Sequence, residues 1–252
     1  INLNINKTLE EFVKNLFICL FIKFQYLENS FTKNNILSDE IFKLFSKDFE
    51  NSSLGKIPKD WGLISLDKIF TIKGGTQPPA KYFSDTPKKN YIRLLQIRDF
   101  SSNDHKTYIP YSEKLNFVTE DDILVGRYGS GNGNFEEDSL GRPLRGIEGA
   151  INVAIAKIIA VRKYSKEYAN YFLKTGLFYK HIVGSSARAV QAGFRKEDLE
   201  KILVPNPTDE VLKFFDSFAN LIWERQKNLN KENIILQELR DNILSKLFSE
   251  RI

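Results

Sequence analysis

A chain of 252 residues can hold one globular domain with helical extensions, and an apolar fraction of 42% with 20 Phe and 10 Tyr excludes a disordered polymer. Its single cysteine, Cys19, excludes a disulfide framework and points to a reducing, cytoplasmic setting, while the lack of methionine suggests processing or a piece of something longer. The net charge of +5 is weak evidence for a polyanionic partner until its spread is considered: between Ala150 and Lys196 nine Lys or Arg stand against one acid, Glu167, leaving the remainder at −3.

In chain order, Leu9, Phe12, Val13, Leu16, Phe17, Leu20, Phe21 and Phe24 recur by threes and fours, the stripe of an amphipathic helix. Thr8 and Glu11 form a T-x-x-E box, so this helix is expected to begin there and to run to about Leu27. The run from Phe12 to Phe24 is interrupted by Lys14 and Lys23 and falls short of the ~20 residues of a bilayer span, so no membrane segment is expected. Cys19 lies on the same apolar pattern and reads as a small buried hydrophobe. Polar residues dominate from Glu28 to Ser53, and Leu54-Gly55-Lys56-Ile57-Pro58 with Trp61 reads as a connector into a new domain.

Short β-branched or apolar runs at Ile64 to Ile72, Tyr91 to Ile97, Asp122 to Arg127 and Asn152 to Val161 predict strands, and Tyr168 to Ile182 predicts a helix. Pro205 and Pro207 mark an exit, and Thr208 can cap a final helix carrying Val211, Phe215, Phe218, Ile222, Leu229, Leu236, Leu239 and Ile243 at spacings of four, three and seven, with Arg225 and Glu232 in the same phase. At ~40 residues that helix would be about 60 Å long, against roughly 35 Å for one turn of DNA. A lone helix cannot bury such a stripe, so the terminal helices are expected to lie together. The predicted fold is an α/β (α+β) globular domain over 54–207, flanked by an N-terminal helix and connector over 1–53 and a long helix over 208–252, the two helices antiparallel and coiled-coil-like.

Three loops carry the candidate chemistry. Lys73-Gly74-Gly75-Thr76-Gln77 follows a predicted strand and offers close backbone approach plus hydroxyl and amide groups, without the spacing of a phosphate loop. Gly126 to Asn134 alternates glycines with Arg127, Tyr128, Ser130, Asn132 and Asn134; Arg can grip guanine and Asn adenine, each bidentately. Gly184 to Arg195 carries Arg188, Gln191 and Arg195 on small residues. Tyr164, Tyr168, Tyr171, Phe172, Phe178 and Tyr179 interleave the basic stretch and read first as core aromatics. His105 and His181 lie at no metal-ligand spacing, no nucleophile elbow is present, and the acidic run Glu136-Glu137-Asp138 reads as a solvated loop.

These residues carry a resemblance. TLEEFVKNLFICLFIKF resembles the end of the central conserved helix of the specificity subunits of type I restriction–modification systems, and Leu54 to Gly75 resembles the start of a target-recognition domain, with Pro58, Trp61, Leu66 and the Gly pair in order. AGFRKEDLEKILVPNP resembles the exit from that domain, followed by the distal conserved helix. The likeness covers nearly the whole chain and about half of such a subunit, with one recognition domain where two are usual.

It implies a non-catalytic reader of double-stranded DNA that serves methyltransferase subunits and a restriction subunit on a split target, with S-adenosylmethionine, ATP and Mg used by those partners and no cofactor or metal in this chain. It also implies a homodimer if the chain is a half-subunit. No adenine-methylation motif or Walker loop is present. The residues expected on base edges are Gln77, Arg127, Tyr128, Asn132, Arg188 and Gln191, and those on phosphates are Lys73, Lys88, Lys89 and Arg195. The competing reading is a helical scaffold protein whose globular domain binds peptide or RNA.

Overall fold

A computed structural model describes residues 1–24, 43–46, 48–101, 105–185 and 192–249. The first apolar stripe folds as α1 (Asn2–Phe21), which buries Val13, Phe17, Leu20 and Phe21. The Thr8 box does not start it. The Thr8 hydroxyl donates to the Asn4 carbonyl one turn back, so Thr8 sits inside the helix, and the earlier turn is held by tertiary contacts: Asn2 Nδ2 donates to Glu232 and Asn6 Nδ2 to Asn230. The helix ends at Phe21, and Leu27 lies outside the described residues.

The chain next forms a hairpin, β1 (Phe49–Ser52) against β2 (Gly55–Pro58), whose turn holds Leu54. Trp61 follows and is buried among the rings of Phe21, Phe24 and Phe45. The predicted run from Ile64 to Ile72 is split: β3 (Leu63–Ser65) and β4 (Phe70–Gly74) are separated by a 3-10 turn at Leu66–Lys68, where Ser65 Oγ donates to Asp67. The turn sends the two strands to different sheets.

After β5 (Tyr91–Leu95) come β6 (Thr107–Pro110), β7 (Phe117–Val118), β8 (Leu124–Gly126), β9 (Tyr128–Gly129), β10 (Pro143–Leu144), β11 (Gly149–Ile151) and β12 (Ile155–Ala160). One antiparallel sheet has the order β10-β8-β12-β4; the other, β6-β5-β11-β7, has a single parallel pair, β5 with β11. Apolar residues of both sheets, Leu95, Val118 and Ile151 from one and Leu124, Leu144 and Ile155 from the other, bury one another.

The predicted helix from Tyr168 to Ile182 is two helices, α2 (Lys166–Lys174) and α3 (Leu177–Ser185). The break is Gly176, at φ +73°, a left-handed backbone that suits glycine. Beyond it, β13 (Ala192–Gly193), a short α4 (Lys196–Leu199) and β14 (Leu203–Pro205) lead to α5 (Asp209–Ser249), 41 residues and therefore about 60 Å long. Thr208 caps α5 through its hydroxyl to the Val211 N–H.

α1 and α5 run antiparallel, as the pairs Asn2–Glu232, Asn6–Asn230, Phe12–Phe218 and Phe17–Phe215 show. Phe17, Phe21, Tyr168 of α2 and Phe215 form one cluster of edge-to-face rings that joins both helices to the globular part. Val211, Phe215 and Leu229 are buried, but Ile235, Leu236, Leu239 and Ile243 are exposed, so the stripe of α5 is covered by α1 only over its first half. Among the described residues no helix is long and apolar enough to cross a membrane.

Candidate nucleic-acid interface

The three glycine-rich segments are far apart in sequence, yet the described parts of all three meet at one end of the antiparallel sheet, where β4 and β8 finish and β12 begins. The first leaves β4 at Lys73-Gly74, and the Gly75 N–H donates to the Ile155 carbonyl (3.0 Å) and the Thr76 N–H to that of Ile151 (3.1 Å). A Cβ on Gly75 would lie 2.2 Å from the carbonyl oxygens of Ile151 and Asn152, so the turn passes through a gap that admits only glycine. Asn116 Nδ2 donates to the carbonyls of Lys73 and Gly74 from the other side.

The second segment crosses here through Arg127, whose N–H donates to the Ala154 carbonyl and whose Nη1 donates to that of Val153. Nη1 lies 3.1 Å from where a Gly74 Cβ would stand, and Cζ is 5.4 Å from the centre of the Tyr128 ring. The third is stitched to the second: β13 pairs with β9, Ala192 with Gly129 and Gly193 with Tyr128, and the Phe194 N–H donates to the Arg127 carbonyl. Gly193 makes room for the Tyr128 ring, which a Cβ would approach to 2.7 Å. Arg127, Tyr128 and the Gly74–Gln77 turn are thus brought together by backbone pairing.

Lys73 and Gln77 are exposed beside this crossing. Gln77 lines a cleft of about 540 Å³ with Thr76, Tyr82, Tyr111 and Lys114. Lys88 and Lys89 are exposed, the Tyr111 N–H of the cleft donates to the carbonyl of the neighbouring Asn90, and the Lys88 ammonium lies 5.4 Å from the Tyr91 ring centre. Arg195 is exposed just after Phe194, which anchors its stretch by an edge-on contact with Phe178 at 4.7 Å. Asn132 is exposed, with its side-chain oxygen accepting the Asn134 N–H at 2.9 Å. Arg188 and Gln191 lie outside the described residues.

Asp138 departs from the solvated reading given to its acidic run. Glu136 and Glu137 are exposed, but Asp138 is 3% exposed and sits beneath the loop from Gly129 to Asn134. Its Oδ1 accepts the N–H groups of Ser130 and Leu140, and its Oδ2 accepts the Gly131 N–H (2.7 Å), the Ser130 hydroxyl and the Tyr179 hydroxyl. Burial alone would raise this carboxyl. The converging N–H and O–H donors outweigh it and hold Asp138 below the ordinary carboxylate range.

The basic stretch is partly spent internally, since Lys157 pairs with Asp122, Arg162 with Asp209 and Lys174 with Glu10. Tyr168, Tyr171, Phe172, Phe178 and Tyr179 are buried, as core aromatics should be. Cys19 is half-buried, and burial pushes its thiol up despite Lys23, which is unfavourable for a nucleophile. Among the described residues no group of three or more His, Cys, Asp or Glu is placed to hold a metal ion. The sequence signal that could have found Asp138 is thin: an acid a few residues after a glycine run, indistinguishable from its two solvated neighbours.

The fold is thus a mixed-sheet module that gathers its loops at one end of the antiparallel sheet and is fused to a pair of antiparallel helices. The chain belongs to the type I restriction modification DNA specificity domain family, whose profile matches residues 58–244. Two specificity subunits of type I restriction enzymes from Methanocaldococcus jannaschii are similar to it. MjaX is 27% identical over 82% of this chain and 47% of its own length, and MjaIX is 26% identical over 88% and 54%. The crystal structure of the type I restriction-modification system S subunit from M. genitalium has the same fold at 15% identity, with a TM-score of 0.56 over 98% of this chain and 55% of that one. The chain therefore spans about half the length of the relatives it matches.

Proposed function

We propose that the chain reads duplex DNA in a sequence-specific manner as a non-catalytic specificity subunit, or half of one, and that it places methyltransferase and restriction subunits on a bipartite target. The observation that carries this reading is the junction of the Gly74–Gln77 turn, Arg127–Tyr128 and the β13 strand, which sets polar and cationic side chains beside one another on hydrogen-bonded backbone. Arg127, Tyr128, Gln77 and Asn132 would meet base edges, with Arg188 and Gln191 on the same third segment; Lys73, Lys88, Lys89 and Arg195 would meet phosphates and set register. The exposed apolar residues of α5 beyond Glu232 would take the protein partners, a second copy among them. S-adenosylmethionine, ATP and Mg belong to those partners on this reading, and the assembly works in the cytoplasm.

The test is a titration of the full chain with short duplexes, single-stranded DNA and RNA at two salt concentrations. Preference for duplex DNA with steep salt dependence and a defined sequence motif supports the reading. Indifference to nucleic acid, or a preference for RNA, overturns it in favour of a scaffold whose globular part binds another polymer.

A further inference from the structure

We propose that Asp138 and Tyr179 are positioning residues that hold the loop from Gly129 to Asn134 in one shape for reading bases, an inference that rests on the DNA-reading function proposed above.

A loop this rich in glycine has many shapes open to it, and Gly131 and Gly133 both take positive φ, +63° and +86°. Four of its backbone or hydroxyl groups are nevertheless tied to two buried side chains. Asp138 receives Ser130 N–H, Ser130 O–H and Gly131 N–H, and also the Tyr179 hydroxyl at 3.1 Å; Tyr179 in turn receives the Gly133 N–H at 3.0 Å. The loop is thereby pinned near both ends of its exposed arc, while the side chains of Asn132 and Asn134 stay exposed.

The fit is specific to a carboxylate. Ionised Asp accepts only, and three of the groups aimed at it, the Ser130, Gly131 and Leu140 N–H, can only donate; an Asn in its place would turn its amide N–H groups toward at least one of them, whichever way it is flipped. Gly129 belongs to the same arrangement, because a Cβ there would lie 1.8 Å from Asp138 Oδ1. Tyr179 comes from α3, is 2% exposed, and packs its ring on Phe135 at 5.6 Å, so the hydroxyl is delivered by a side chain that cannot swing away. The clamp touches neither Arg127 nor the lysines assigned to phosphates, so it would govern discrimination between sequences rather than attraction to DNA.

The test compares the full wild-type chain with Asp138→Asn and Tyr179→Phe. Each is used to select from a pool of random-sequence duplex DNA, and amide hydrogen exchange is followed at Gly131 and Gly133. The wild type is expected to enrich a motif. Asp138→Asn should lower that enrichment about tenfold, the size of one lost charge-assisted hydrogen bond, with Tyr179→Phe acting at the same base pairs to a smaller degree. Total binding to the unselected pool should stay within about twofold, and exchange at both glycines should quicken. Variants that keep the wild-type motif and enrichment, or that lose binding to all duplexes alike, overturn the inference while the reading function stands. A wild-type chain that enriches no motif overturns both. The Phe variant retains the ring and its packing, so its result stands if the Asn variant fails to fold.

Discussion

Arg127 lies between β8 and β9, with Nη1 on the Val153 carbonyl, its guanidinium carbon 5.4 Å from the Tyr128 ring centre and its Nε enclosed without a hydrogen-bond partner among the described residues. A guanidinium held this way loses little further freedom when it meets a base, which is the condition for direct readout. Arg127→Ala is expected to relax preference at one base pair and to cost about 1–3 kcal/mol in binding to the selected duplex. Lys89 is exposed and assigned to phosphate, so Lys89→Ala should weaken all duplexes alike and lower the salt slope by about 1. Fluorescence anisotropy on matched and single-mismatch duplexes over a salt series separates the two. The types of these side chains and their glycine-rich surroundings were legible in the sequence, because glycine runs mark loops, although Asn132 and Asn134 also serve the turn itself. Asp138 was not, since whether an acid in a loop is solvated or buried depends on Tyr179 arriving from another element.

At the scale of elements, α5 and its Thr208 cap were readable from a long apolar period that local chemistry alone can set. The start of α1 was not, because its first turn is held by Glu232 and Asn230 rather than by the Thr8 box. Strand positions were close, but the pairing of β3 with β14 and of β4 with β12 arises from contacts over more than eighty residues, which no local pattern carries.

One joint between elements was invisible in the sequence. Arg145 Nη1 pairs with both oxygens of Glu167 on α2, the guanidinium lies 4.1 Å from the Trp223 ring centre on α5, and Trp223 Nε1 and Lys227 both donate to Asp121. Arg145 and Glu167 side chains are only 9% and 1% exposed, so removing one strands a buried charge. Arg145→Met should cost about 3–5 kcal/mol in urea unfolding, and Arg145→Met with Glu167→Met together should recover much of that loss.

For the molecule as a whole, acid stability follows from where its carboxylates sit. Lys227 and Trp223 hold Asp121 below the ordinary range; at Asp122 burial pulls upward but is outweighed by Lys157 and Thr119, and Asp138 is likewise low through its N–H donors. Each of these contributes stability that is present above the ordinary carboxylate value and lost as pH falls through its lowered one. The melting temperature should therefore be level near neutrality and fall below about pH 4. Asp216 has the opposite sign, raised by burial with Glu167 nearby, so its charged form is a penalty at neutral pH that acidification removes. Asp216→Asn keeps an oxygen for the Glu167 N–H and should raise the melting temperature at pH 7, with the gain shrinking on acidification.

The ring cluster of Phe17, Phe21, Tyr168 and Phe215 also decides how the chain comes apart. Trp61 sits against that cluster and Trp223 against the Arg145 joint, so far-ultraviolet dichroism and tryptophan emission should trace one coincident urea transition. Two separated transitions would mean that stalk and module are independent. A mechanical consequence follows from the same shared aromatics: because the rings of Phe17, Phe21 and Phe215 on the rod interlock with Tyr168 of the head, a twist applied to the free end of α5 would be passed into the head through that ring contact, as a shaft turns a key.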